Sequence, residues 1–301
     1  DVVKGKVDSM FLLHYGADRF VSAYHKGLFH HDVLTAWSMQ NAGRKITADY
    51  ETSCRYLPHI KVDEALWGEK LPWYRDYIAN EYLEDEYWQQ GWWKELRDIS
   101  AKTELPLYIL SGWYDHHHES TMKTWSRLKP ETRTMSWLEI GGWNHMLQPV
   151  LEDKKVEHLE NSQVKKALLW FDMTLKRKQK PTGRVHYYVP GRDCWMQADD
   201  WEKVERFKKV LYFDAENLSL CRSCDGIQTA TRSYTYDPAD PVPTNGGDCT
   251  LASWLKTGSL LQAQPGWRDD VITFLSEPLE EEMVICGKID VELWVKTGTR
   301  I

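Results

Sequence analysis

The stretch "ELPLYILSGWYDHHHESTMKTWSRLKPETRTMSWLEIGGWNH", residues 104–145, reads as strand, helix, strand. "ELPLYIL" (104–110) and "TMSWLEI" (134–140) are short apolar runs rich in strand formers, and Met122, Trp125 and Leu128 recur between them at helical spacing. A crossover of this length joins parallel strands, so an α/β sheet is expected, with its chemistry at the carboxyl ends of the strands. Asp115 follows the first strand and His145, in "GGWNH", the second.

Those two positions suit acyl transfer. A histidine that takes a proton from a nucleophile needs a buried carboxylate to fix its tautomer and to stabilise the imidazolium. The order acid then histidine is that of α/β hydrolases, where the serine comes earlier. Gly141 and Gly142 are expected to form a tight loop that turns the imidazole of His145 back over the sheet edge. A metal site competes for the same stretch through His116, His117 and His118, with His30 and His31 upstream. Adjacent side chains on a strand or loop diverge, and no HExxH-like pair puts two ligands on one helix face, so no metal is expected.

Working outward, residues 156–179 show Val164, Leu168, Phe171 and Leu175 at steps of a helical stripe, with basic residues gathered at the far end. Pro181 and Gly183 follow and stop it. From residue 183 the texture changes to strand-like pieces, "RVHYYV", "KKVLYFD", "SYTYD", "DVITFLS" and "VELWVK", separated by Gly, Pro, Asn and Asp, which predicts an all-β sandwich or jelly roll. Residues 15–100, rich in Trp, Tyr and charge, read as a mostly helical insertion ahead of the Asp115 strand.

The totals bound the partners. With 38 Lys+Arg against 45 Asp+Glu the net charge is −7, and the cationic footprint that binds phosphate backbones is lacking, so no nucleic acid is expected. The six Cys are too sparse for a disulfide scaffold in a chain of 301 residues, and Cys221-Arg-Ser-Cys224 is a CxxC without a second pair. No apolar run reaches the roughly 18–20 residues that cross a bilayer, so the chain reads as soluble, the cytoplasm being favoured. A start at Asp1 and a strand-like final segment suggest an internal fragment.

"LPLYILSGWYD", "IGGWNH", "LLWFDMTLK", "YDPADPVPTNGG" and "RDDVITFLSEPLEEEMVICGKIDVELWV" together resemble, in order and spacing, the Xaa-Pro dipeptidyl-peptidase and cocaine-esterase-like serine hydrolases. The resemblance implies part of an α/β-hydrolase domain over 1–182, a helical cap inserted at about 15–100, and a jelly-roll β domain over 183–301. It makes Asp115 the triad acid and His145 the triad base, with Gly142 where the family has proline. Trp37, in "VLTAWSM", matches a Trp that walls the acyl pocket, and His117 falls where the esterases place an aromatic pocket residue, so both are substrate-binding candidates. The implied substrate is a small ester or a short peptide, without cofactor, nucleic acid or membrane, and the family pattern also admits a homodimer.

One element is lacking. The family's nucleophile elbow precedes "VDSM" (7–10), and neither Ser9 nor Ser111 has the flanking glycines of such a turn. The serine is therefore expected upstream of Asp1, the chain alone is expected to be inactive, and the Asp115 sheet is expected to have an unpaired side. A non-catalytic binding protein on the same frame is the alternative reading, and a zinc hydrolase the third.

Overall fold

The computed structural model describes residues 7–45, 49–148, 150, 162–205, 207–248 and 256–298. Its centre is a five-stranded sheet in the order β1 (Met10–Leu13), β4 (Leu107–Tyr114), β5 (Trp137–Asn144), β6 (Arg184–Val189), β7 (Cys194–Ala198). The first four run parallel and β7 returns antiparallel beside β6. The near-continuous apolar character of β4 and β5 has its cause here: both are buried along nearly all their length, as strands covered on both faces must be.

Between β1 and β4 the chain makes a helical excursion. It holds α1 (Arg19–Ala23), the short hairpin β2 (Tyr24–His25) and β3 (Leu28–Phe29), α2 (His31–Asn41), α3 (Tyr50–Arg55), α4 (Val62–Trp67), α5 (Pro72–Ala79), α6 (Glu86–Gln89) and α7 (Gly91–Lys102). The aromatics noted in the sequence form its interior, where Tyr24, Trp88, Trp67 and Tyr74 are buried. The expected crossover is then present: α8 (His118–Arg127) and the single turn α9 (Pro130–Arg133) connect β4 to β5. Trp125 and Leu128 pack with Leu107, Ile109, Leu138 and Ile140 on one face of the sheet.

Two sequence expectations are corrected. The sheet continues past residue 182, because "RVHYYV" pairs parallel with β5 as β6 and does not open a separate β unit. β4, which leads into Asp115, is flanked by β1 and β5, and the far side of β1 is unpaired among the described residues. The long helix is described only from residue 162: α10 spans Gln163–Phe171 and runs into a π-helical turn at Asp172–Lys176. Trp170 sets its phase by packing with Tyr108, Trp143 and Tyr188 on the opposite face of the sheet. That leaves Val164, Leu168 and Leu175 of the anticipated stripe exposed, with Leu169 beside them.

Of the later strand-like pieces, the described residues contain β8 (Tyr212–Asp214) paired with β9 (Ser219–Cys221), and an isolated bridge from Ser219 to Leu275. "SYTYD" and "VELWVK" lie outside any strand, and Trp294 is almost wholly exposed. Alternation supplies a face to bury, but a ladder also needs a neighbouring backbone.

Beneath α10 a buried carboxylate ties two layers together. Glu139 on β5 accepts from the Tyr108 hydroxyl at 2.7 Å and pairs with Lys166 of α10, and His186 of β6 lies 3.5 Å away. Burial opposes the charge, but the hydrogen bonds and charges of His186, Lys166 and Tyr108 outweigh it and bring the carboxyl down from 4.5 to about 2. The resulting stabilisation is complete above pH 4.5 and is lost as the pH falls toward 2. Glu139→Gln is expected to cost about 3 kcal/mol at neutral pH, since removal of the buried carboxylate leaves a partly buried ammonium and the Tyr108 hydroxyl without their charged partner. Denaturant melts should show the difference from wild type shrinking below pH 4.5.

Candidate active site

The parallel strands bring three side chains to one end of the sheet. The register of β4 against β5 slips between Gly112 and Tyr114, a bulge placed immediately before Asp115. Bulges of this kind bend a strand and re-aim the next side chain. The pairing partners Gly112 and Gly141 make this close approach feasible: a Cβ on either would come 2.1 Å from Trp143, from its carbonyl oxygen or its ring respectively. The expectation that Gly141 and Gly142 form a loop is thus corrected, for both lie within β5 and the space at Gly141 receives the Trp143 indole.

The turn that presents His145 is built by Asn144. Its side-chain oxygen accepts from the backbone N–H groups of Met146 at 3.0 Å and Gln148 at 3.1 Å, while its own N–H donates to the Gln148 carbonyl. His145 Nδ1 then stands 3.0 Å from Asp115 Oδ1. Asp115 is 1 % exposed, whereas the His145 side chain is 31 % exposed, so the acid is sealed and the imidazole reaches the surface.

Asp115 collects further donors. The backbone N–H of His117 reaches Oδ1 at 3.0 Å and the Ser111 hydroxyl donates to Oδ2 at 3.1 Å. His14, one residue past β1, makes a short contact from Nδ1 to Oδ2. Burial works against the carboxylate charge, but the hydrogen bonds from His14 and His145 and the charges of His14 and His116 overcome it and hold the carboxyl far below the usual range. Asp115 is therefore ionised across the working pH range, as a group that steadies an imidazolium must be.

His14 was missed in the sequence, although "FLLH" carries the same signal as "WYD": a chemistry-bearing residue directly after a short apolar strand. Its backbone N–H continues the ladder to the Leu110 carbonyl at 2.8 Å, which fixes it beside the Asp115 strand.

The remaining histidines gather closer than the sequence suggested. Residues 115–118 form a turn, with the His118 N–H bonded to the Asp115 carbonyl at 2.8 Å, so consecutive side chains do not alternate as they do on a strand. The ring centres of His116 and His117 are 4.1 Å apart and lie 4.3 Å and 5.5 Å from that of His145. Burial, then neighbouring histidines, lower His116 to about 2; burial lowers His117 to about 4. Both are neutral imidazoles at neutral pH. His117 Nδ1 lies 2.9 Å from the Ser22 hydroxyl of α1, which places it between the helical excursion and His145.

The other candidates are not drawn in. Trp37 lies on α2, 45 % exposed, and among the described residues no hydrogen bond or ring contact joins it to Asp115, His145 or His117. Ser9 pairs with Thr174 at 2.9 Å and Ser111 is spent on Asp115. Cys221 and Cys224 are both free thiols.

A strand-end carboxylate bonded to Nδ1 of a partly open histidine, on a mostly parallel sheet, has the geometry that the acid–base pair of an α/β hydrolase requires. Residues 5–147 match the X-Pro dipeptidyl-peptidase family (S15 family). This chain is related to the X-Pro dipeptidyl-peptidase and cocaine-esterase-like family. It is also similar to the cocaine esterase of Rhodococcus sp. (strain MB1 Bresler), with 26 % identity over 253 residues, which cover 78 % of this chain and 43 % of that protein. The chain thus spans less than half the length of that curated relative. The family match ends two residues after His145 and so contains both members of the pair.

Proposed function

We propose that this chain supplies the acid and base of a serine hydrolase that cleaves ester or amide bonds through an acyl-enzyme. The observation that carries the reading is the 3.0 Å contact between His145 Nδ1 and buried Asp115. It leaves Nε2 as the nitrogen that takes the nucleophile's proton and later returns one to the leaving group. Asp115 stays ionised and stabilises the imidazolium. In this reading the nucleophile is a serine N-terminal to Asp1, in keeping with the order Ser, Asp, His of α/β hydrolases. The chain alone is then inactive.

The helical excursion acts as a cap, with His117 and Trp37 on the acyl side of the pocket and the imidazole of His117 making that wall polar. The residues after the sheet form part of a jelly roll. Substrates are small esters or short Xaa-Pro peptides, and the protein pairs as a homodimer. The name of the Rhodococcus relative favours an ester, whereas the family match favours an aminoacyl-proline amide.

The full-length protein treated with a fluorophosphonate should be labelled on one serine upstream of residue 1, as peptide mapping would show. A folded full-length protein without label would overturn the hydrolase reading and leave a hydrolase frame used for binding.

A further inference from the structure

The histidine cluster around His145 holds more nitrogen than a triad uses. His116, His117 and His145 each offer a ring nitrogen, and these atoms lie within 4.8 Å of one another. We propose that His116, His117 and His145 form a three-imidazole site for a divalent cation of the zinc type, and that filling it takes His145 out of the hydrolytic cycle. The binding stands on geometry alone, while the effect on hydrolysis rests on the function proposed above.

Two arguments carry the site, and one adjustment goes with it. The donors are all imidazole, which suits Zn, Cu and Ni and discriminates against Mg and Ca. Tetrahedral zinc with Zn–N near 2.0–2.1 Å needs nitrogens about 3.3–3.4 Å apart, so the trio, now within 4.8 Å, has to close by up to roughly 1.5 Å through side-chain rotation. Finally, two of the rings are already oriented by partners of the kind that accompany metal-bound histidine. Asp115 holds His145 at Nδ1, and the Ser22 hydroxyl holds His117 at Nδ1, which leaves Nε2 on each. A solvated cluster would not explain this, because the His116 side chain is only 6 % exposed.

A competing trio, His14, Asp115 and His145, also has its ligand atoms within 4.8 Å. Its atoms are turned on one another: Oδ2 takes His14 and Oδ1 takes His145. An ion there would have to break both contacts and expel the protons that make them. The nitrogen-only trio uses neither carboxylate oxygen, and its fourth position is left for water, as in zinc sites that keep an open ligand.

The consequence for catalysis is a competition for one lone pair. The Nε2 electrons that would accept the nucleophile's proton are the same electrons that would bind the cation. Bound metal therefore blocks the base without displacing substrate, and a chelator restores it. Nothing is oxidised or cleaved.

The test uses full-length protein stripped of metal by chelation and titrated with Co²⁺. One equivalent should produce the visible d–d absorption of tetrahedral cobalt, and one equivalent of Zn²⁺ should remove it. His116→Ala and His117→Ala should each weaken binding by at least about 100-fold, the upper end of what is lost when only an outer partner is removed. His25→Ala, outside the trio, should not. If either alanine variant fails to fold, His116→Gln and His117→Gln carry the same comparison. Absence of the cobalt bands in the wild type, or their persistence in folded variants, overturns the site. Zn²⁺ should also suppress fluorophosphonate labelling of the wild type but not of His116→Ala. Cobalt bands without any labelling of metal-free protein would sink the hydrolase reading and keep the site, whereas normal labelling without bands would do the reverse.

Discussion

Replacement of His145 by alanine in the full-length protein is expected to lower turnover of an ester or aminoacyl-proline amide by a factor on the order of 10⁶. Among the described side chains bonded to Asp115, the imidazole of His145 is the one that reaches the surface, being 31 % exposed against 6 % for the His14 side chain. His14 shares the carboxylate, but its buried ring cannot take over the proton transfer. The substitution removes a partly exposed side chain, so the unfolding midpoint should move little, and loss of activity without loss of stability separates a catalytic role from a structural one. Single-turnover kinetics and fluorophosphonate labelling should fall together, since both depend on the base that activates the serine. A variant that retains labelling at the wild-type rate would show that another residue serves as base.

Asp115→Asn is expected to lower turnover by about 10⁴, and to cost stability as well. An asparagine presents one oxygen and one NH₂ where the carboxylate presents two acceptors, and all four groups around it bring hydrogen. These are the ring nitrogens of His14 and His145, the Ser111 hydroxyl and the His117 backbone N–H. The amide therefore forces a histidine into the other tautomer or leaves a donor facing a donor. A buried donor left without a partner costs about 1–3 kcal/mol. Turnover measured beside chemical unfolding should show both losses. Wild-type turnover in a folded Asp115→Asn variant would remove Asp115 from the mechanism.

Much of the site could be read in the chain because parallel strands report themselves locally. An apolar run followed by a polar residue marks a strand end, and that placed Asp115 and His145 at one edge of the sheet. What escaped depended on contacts across sequence. His14 lies 101 positions from Asp115, and its role is visible only when β1 is known to pair with β4. The convergence of His116 and His117 depends on a turn that the strand-based argument took for extended chain. The phase of α10 was misjudged because Trp170, between the positions of the supposed stripe, had the largest surface to bury. The later strand-like pieces show the limit of period-two reading, since alternation does not specify a partner.

The helical excursion leaves the sheet at His14 and returns to it at Leu107, and those two positions lie on neighbouring strands. Leu107 pairs with Met10, four residues before His14, so its ends are pinned one strand spacing apart sideways and roughly 13 Å apart along the strands, whatever lies between them. Its start is tied to the site, since Ser22 of α1 holds His117 and Ser120 of α8 bonds the Asp18 carbonyl, whereas the length of the part beyond α1 is not fixed by the strand pairing. For protein engineering, this makes the part beyond α1 a candidate cassette, with the strand ends that carry Asp115 and His145 kept in the chassis.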